Sequence, residues 1–228
     1  DIISVCGPYP YETTKKEFPS KEIMMTGVPI PRNIKVLSQR EPGELLFIGT
    51  IEPRKGLHFL IEALGKVKEN YHVSIAGNYS KQMEYYNGLI RKAEELGISE
   101  KIEFLGRISD EQKEELLQKA YAFVFPTQDE GYGIVMIEAM GHGVPVVAFN
   151  NTSIPYIIED NNNGLLVNNL DVDDLARKIS YILNNPDEVE RMGKNGIETY
   201  HNTMTIDEFK HGIRKMYDRI VEIRSNRQ

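Results

Sequence analysis

Residues 126–145 read PTQDEGYGIVMIEAMGHGVP, and this stretch decides the fold. An unbroken apolar run, 122–125, leads into it; a loop carrying Gly131 and Gly133 follows; and 133–141 sets apolar residues at helical spacing. Strand, glycine loop and helix in that order form one entry step of a parallel sheet, whose strands are buried on both faces and so read as near-continuous apolar runs. The alternation repeats on either side. Strands are expected at 45–49, 72–76, 102–104, 122–125, 144–148 and 164–167, with crossover helices at 57–68, 81–96, 110–119 and 133–141. The class is therefore α/β: a parallel sheet of about six strands flanked by helices. Beyond the last strand only helical period remains, at 171–183, 187–200 and 206–224, so a C-terminal helical extension is expected.

Breakers support these boundaries. Ser109 with Gln112 makes a capping box, Gly97 stops the helix before it, and Pro186 opens a helix after Asn184 and Asn185. The run Asn161, Asn162, Asn163, Gly164 reads as a tight turn before a strand. Residues 1–43 differ in kind. They hold six of the eleven prolines (Pro8, Pro10, Pro19, Pro29, Pro31 and Pro42) and read as linker-like chain.

Composition excludes several function classes. A net charge of −7 over 228 residues, with no Lys/Arg run, argues against nucleic acid as a partner. Apolar runs are strand-sized, far short of the ~20 residues that cross a bilayer. The single cysteine, Cys6, rules out an intrachain disulfide and the two-cysteine zinc patterns, so the cytoplasm is the expected compartment. The chain opens on Asp1 without a signal sequence and is expected to be an excised piece of a longer protein. Neither GxGxxG nor GxxxxGK[ST] occurs, which removes the phosphate cradles of dehydrogenases and P-loop kinases. No histidine pair has metal spacing, so no metal is expected. The sequon at Asn151, Thr152 and Ser153 reads as a chance match.

The chemistry concentrates at the carboxyl ends of the expected strands, where open α/β sheets bind ligands. A diphosphate would find unpaired amides and a positive dipole end at Gly131, Tyr132 and Gly133. Glu130 precedes that helix and Glu138 lies inside it, about 7 Å from its start at ~1.5 Å rise per residue. Carboxylates so placed suit the vicinal hydroxyls of a sugar and a ribose; two solvent-facing acids, one favoured by the helix dipole, are the alternative. In FIGTIEPRKG, 47–56, Arg54 and Lys55 follow Gly49 on the same sheet edge. They would clamp phosphate, or else are solvated loop charges. Arg107, after Gly106, stands where a nucleotide base would pack, and Tyr132 either flanks the ligand or packs inward.

FIGTIEPRKG, IEFLGRIS, FVFPTQDEGYGIVMIEAMGHGVPVVA and NNNGLLV, in that order, resemble the donor half of retaining GT-B glycosyltransferases. This is the large group 1 family of mannosyl- and glucosyltransferases, similar to glycogen synthase. The most specific element is the E-x7-E pattern of Glu130 and Glu138 within EGYG and EAM. The resemblance implies a Rossmann-like domain at 44–204, preceded at 1–43 by the tail of an N-terminal domain and the interdomain linker, and followed at 205–228 by a crossover helix. It implies transfer of a hexose from a UDP-, GDP- or ADP-sugar to a hydroxyl acceptor, with retention and without a metal. Glu138 would hold the ribose, Glu130 with the glycine-loop backbone the donor sugar, and Lys55, helped by Arg54, the diphosphate. Gly49, Thr50 and Arg107 fall among the donor-binding positions. Thr50 departs from the family, many of whose members carry Arg there, and so does Tyr156, where many carry Glu. The acceptor side and a histidine near the reacting sugar would belong to the missing N-terminal domain, leaving this piece inactive alone, and peripheral contact with the cytoplasmic membrane face would come through the parent enzyme. A noncatalytic nucleotide-sugar-binding module and a sugar-nucleotide epimerase of the same architecture are the alternatives.

Overall fold

The structure, a computed structural model, describes residues 2–30, 34 and 40–225; the rest of the expected linker, 31–33 and 35–39, lies outside the described residues, Pro31 included. The opening of the chain holds more than a linker. Ile2–Val5 (β1) and Glu22–Met25 (β2) pair in parallel, joined by the helix Pro8–Glu17 (α1). Pro8, expected as a breaker, stands in the first turn of α1, where a missing N–H leaves no bond unmade and the fixed φ suits the helix. The helix ends at Phe18, ahead of Pro19, with Lys15 and Lys16 at its negative end.

The main body follows the expected alternation. In chain order come Glu44–Ile48 (β3), Leu57–Leu64 (α2), His72–Ala76 (β4), Met83–Glu95 (α3), Ile102–Gly106 (β5) and Asp110–Lys119 (α4). Then come Ala122–Phe125 (β6), Ile134–Gly141 (α5), Val146–Phe149 (β7) and Gly164–Val167 (β8), and last the helices Val172–Asn184 (α6), Pro186–His201 (α7) and Ile206–Ser225 (α8). The six strands from β3 onward form one parallel sheet in the order β5-β4-β3-β6-β7-β8. Right-handed crossovers send the connections of the two halves to opposite faces, so α2 packs with α3 and α6 while α5 packs with α7.

The core lies between these layers. Phe47, Phe123, Phe125 and Phe149 are wholly inaccessible or nearly so, and burial of side chains this size contributes about 1.5–3 kcal/mol each. Phe125 stands between the rings of Phe47 and Phe123, with centroids 5.7 Å away in each case.

Boundary differences have local causes. β7 starts two residues later than expected because the Val144 N–H is spent on the Ala139 carbonyl (2.9 Å), closing α5, and Pro145 has no N–H to give a neighbouring strand. α2 is shorter than expected: it tightens past Leu64 into three-residue bonds, Lys66 N–H to Ala63 at 2.9 Å. Near α4 the capping box forms in both directions, Gln112 N–H to Ser109 Oγ and Ser109 N–H to Gln112 Oε1. No residue of α8 is buried; a fork from Arg219 grips Glu22 on β2, Nε to Oε1 at 2.9 Å and Nη2 to Oε2 at 3.0 Å.

Candidate functional site

Strand order fixes where a ligand can enter. The chain leaves β3 toward β4 on one side, while β6 continues to β7 on the other, a reversal of direction at whose carboxyl edge open α/β sheets bind ligands. Gly56 lets the two loops touch: it sits at φ 73, and an added Cβ would collide with the Pro126 carbonyl. Polar stitches then bind them. Gln128 N–H donates to the Arg54 carbonyl (2.8 Å), Gln128 Nε2 to the Pro53 carbonyl (2.8 Å), and Arg54 Nη1 to the Asp129 carbonyl (2.7 Å). Arg54 also donates to Glu52 Oε1 at 2.7 Å, so its guanidinium braces the rim.

This bracing brings Lys55 to Glu130. Lys55 Nζ donates to Glu130 Oε2 at 2.7 Å, with side chains only 13% and 16% exposed, and the ammonium lies 5.0 Å from the Phe125 ring centroid. The other carboxylate oxygen, Oε1, accepts from Gly133 N–H (3.2 Å) and Tyr132 N–H (3.4 Å), the two amides at the entry to α5. Burial alone would raise this carboxyl, but the Lys55 ammonium and the two amides outweigh it and hold Glu130 below the ordinary carboxylate range. Two of the three amides that the sequence offers to a phosphate, those of Tyr132 and Gly133, are therefore already occupied by the protein's own anion. Any incoming anion competes with Glu130 for Lys55 and for the helix end.

Glu138 is separate. It leaves the second turn of α5 toward α4, where Lys113 Nζ donates to its Oε1 at 2.9 Å and lies 3.8 Å from Asp110. These groups edge a groove of about 270 Å3 that continues past Leu117 to His142, itself paired with Glu114 at 3.2 Å. Sequence reasoning missed Lys113, although a cation in the early turns of a helix runs against the dipole and is a usable signal.

The remaining positions take clear places. Thr50 and Arg107 are exposed in the loops after β3 and β5, and Gly49 is half-buried beside Gly77. The Tyr132 ring turns inward, against the cluster of Ile30, Ile137 and Tyr200, and its hydroxyl donates to the Val28 carbonyl at 3.3 Å; its amide, not its ring, belongs to the Glu130 site. Behind the glycine loop a cavity of about 310 Å3 is walled by Gly7, Tyr132, Ser153, Tyr156 and Asn202. Among the described residues no group of three or more His, Cys, Asp or Glu could hold a metal ion, and no helix is long and apolar enough to cross a membrane.

Comparison with known proteins agrees with this fold. Residues 31–199 match the family described as Glycosyl transferases group 1. D-rhamnosyltransferase WbpZ of Pseudomonas aeruginosa is 32% identical over 185 residues, covering 78% of this chain and 47% of its own. Sucrose-phosphate synthase from Thermosynechococcus elongatus superimposes with a TM-score of 0.85 at 22% identity, over 98% of this chain and 59% of that one. A mutant of S. aureus TarM, solved in complex with Fondaparinux, alpha-GlcNAc-glycerol and UDP, gives a TM-score of 0.82 at 21% identity, over 94% of this chain and 43% of that one. The chain spans about half the length of the curated relatives it matches.

Proposed function

Because the chain belongs to the Glycosyl transferases group 1 family, we propose that it is the donor-binding half of a retaining hexosyltransferase using a UDP-, GDP- or ADP-sugar. The observation that carries this reading is the 2.7 Å pair of Lys55 and Glu130 in the loops that follow β3 and β6. Its partners are the groups a departing diphosphate needs: a cation and the Tyr132 and Gly133 amides that lead into α5. When the donor enters, the diphosphate takes Lys55 and the α5 amides. Glu130, released from them, accepts hydrogen bonds from the sugar hydroxyls. Glu138 takes the ribose diol, and the groove toward α4 receives the nucleoside.

During transfer the bond from the anomeric carbon to the diphosphate oxygen breaks through an oxocarbenium-like state. Lys55 and the amides stabilise the negative charge that collects on the leaving group, and Arg54 keeps the loop that carries Lys55 in place. The acceptor hydroxyl replaces the diphosphate on the same face of the sugar, and its proton passes to the departing diphosphate oxygen. That acceptor binds a companion domain attached through β1, β2 and α8, so this half alone binds donor without turning it over.

Calorimetry with UDP, GDP and ADP and their hexose derivatives tests the reading. One base series is expected to bind, with the sugar adding affinity. A folded protein that binds none of them, or that hydrolyses the donor unaided, would overturn the corresponding part.

A further inference from the structure

The loop after β7 holds Glu130 from behind. Thr152 Oγ1 accepts the Glu130 N–H at 3.1 Å and donates to Asn151 Oδ1 at 3.0 Å, while Asn151 Nδ2 donates to the Thr127 carbonyl at 3.0 Å. The next residue grips the other side: Ser153 N–H donates to the Glu130 carbonyl (3.3 Å), and Ser153 Oγ to the Gly131 carbonyl (2.6 Å). Both peptide groups flanking the Glu130 Cα are therefore fixed, which sets the direction in which its carboxylate leaves the chain. Thr152 does this from a strained backbone, at φ 45, where a β-branched residue is an outlier and glycine is the unstrained choice. Such strain persists where the surroundings over-determine it, and it clusters at functional sites. What glycine lacks here is the hydroxyl that receives the Glu130 amide.

We infer that Thr152 is a positioning residue that aims the Glu130 carboxylate, and through it governs recognition of the donor's sugar far more than of its nucleotide. This rests on the function proposed above for Glu130. The β6 and β7 loops then form one device: Lys55 and the α5 amides hold the carboxylate from the front, and the Thr152 and Ser153 clasp holds its backbone from the rear.

The experiment compares Thr152→Val, Thr152→Ser and Thr152→Gly with the parent protein. Valine keeps shape and β-branching without the oxygen, serine keeps the oxygen, and glycine removes both the oxygen and the strain. Two readouts are taken: hydrogen exchange of the Gly133 amide, which needs no ligand, and the affinity gained on adding the hexose to each of UDP, GDP and ADP. With the clasp opened, Gly133 is expected to exchange about tenfold faster in the Val and Gly variants and at the parent rate in Ser. The hexose gain should fall about tenfold in Val and Gly and survive in Ser, with nucleoside diphosphate affinity within about threefold throughout, the scale of one lost hydrogen bond. Unchanged Gly133 exchange in Thr152→Val overturns the inference whatever the ligands do, and so does equal weakening of nucleotide and nucleotide sugar, the mark of a merely structural role. If the exchange behaves as expected but the parent binds no nucleotide, the positioning stands and the donor reading falls.

Discussion

Glu130 and Glu138 each meet a lysine, but the two carboxylates are held by different kinds of structure. Glu130 is fixed by a lysine 13% exposed, by two backbone amides and by the neighbouring loop on its own peptide groups. Glu138 is met by Lys113, a side chain 28% exposed that also neighbours Asp110. Backbone donors do not move away when a ligand arrives, whereas an ammonium on a four-carbon stem can swing aside. One acid is pre-set, then, and under the proposed function an anion would have to displace it; the other is held by a side chain alone, and there a neutral diol would find it.

The largest expected effect tests the pre-set acid. Lys55→Met strands the half-buried Glu130 carboxylate and removes the cation that a diphosphate would take. Loss of one partner from such a pair is far more damaging than the pair is stabilising. Nucleoside diphosphate affinity should fall about a hundredfold, roughly 2.7 kcal/mol by calorimetry. A change within threefold would place the phosphate elsewhere. Next is Glu138→Ala, expected to weaken nucleoside diphosphate and nucleotide sugar alike by about 1–3 kcal/mol through lost ribose hydrogen bonds. Weakening of the sugar-bearing ligand alone would exchange the roles of the two acids.

The contrast also explains how much was legible in advance. The sheet was readable because parallel strands such as Ala122–Phe125 must be apolar on both faces, and the Ser109 and Gln112 capping box announces its own helix. Lys55 and Glu130 could be assigned to one edge from strand polarity alone, since both follow strands of the same direction. Their direct pairing could not, because it depends on Gly56 permitting contact with Pro126 and on the Arg54 and Gln128 bonds between loops distant in sequence. Lys113 left one signal, its place in the first turns of α4 against the helix dipole, but its pairing with Glu138 depends on how α4 and α5 meet. Thr152 was hidden more completely: composition carries no trace of its φ of 45, and its triplet matched a sequon instead. In α1, proline meant a helix start where a breaker was expected, a distinction of register that depends on β1 and β2 finding each other.

A smaller effect sharpens the idea of displacement. Glu130→Gln keeps the shape and a carbonyl for the α5 amides but removes the anion competing with phosphate. Nucleoside diphosphate should bind about fivefold tighter, a shift near 1 kcal/mol, while the extra affinity conferred by the hexose declines. If the nucleoside diphosphate instead weakens, Glu130 is not a placeholder for phosphate, and its pairing with Lys55 is structural.

The smallest effect is a matter of pH. Glu130 is held below its ordinary value of 4.5 in the folded protein. The unfolded chain therefore binds this proton more readily, and the resulting stabilisation is fully present above about pH 5. It is lost as pH falls through the depressed folded value. Other carboxyls move the same way, Glu22 beside Arg219 and Asp173 beside Lys66 among them, so acid unfolding of the parent alone would not isolate the Glu130 share. The difference between the parent and Glu130→Gln does isolate it, because the remaining acids are common to both. Urea midpoints measured for the two proteins from about pH 7 downward should keep a constant separation to about pH 5. Below that the separation should drift, with the parent losing ground to the glutamine variant. A separation that stays flat into strong acid would mean that the carboxylate gains nothing from Lys55 and the α5 amides, and the distinction between a fixed and a lightly engaged acid would lose its electrostatic basis.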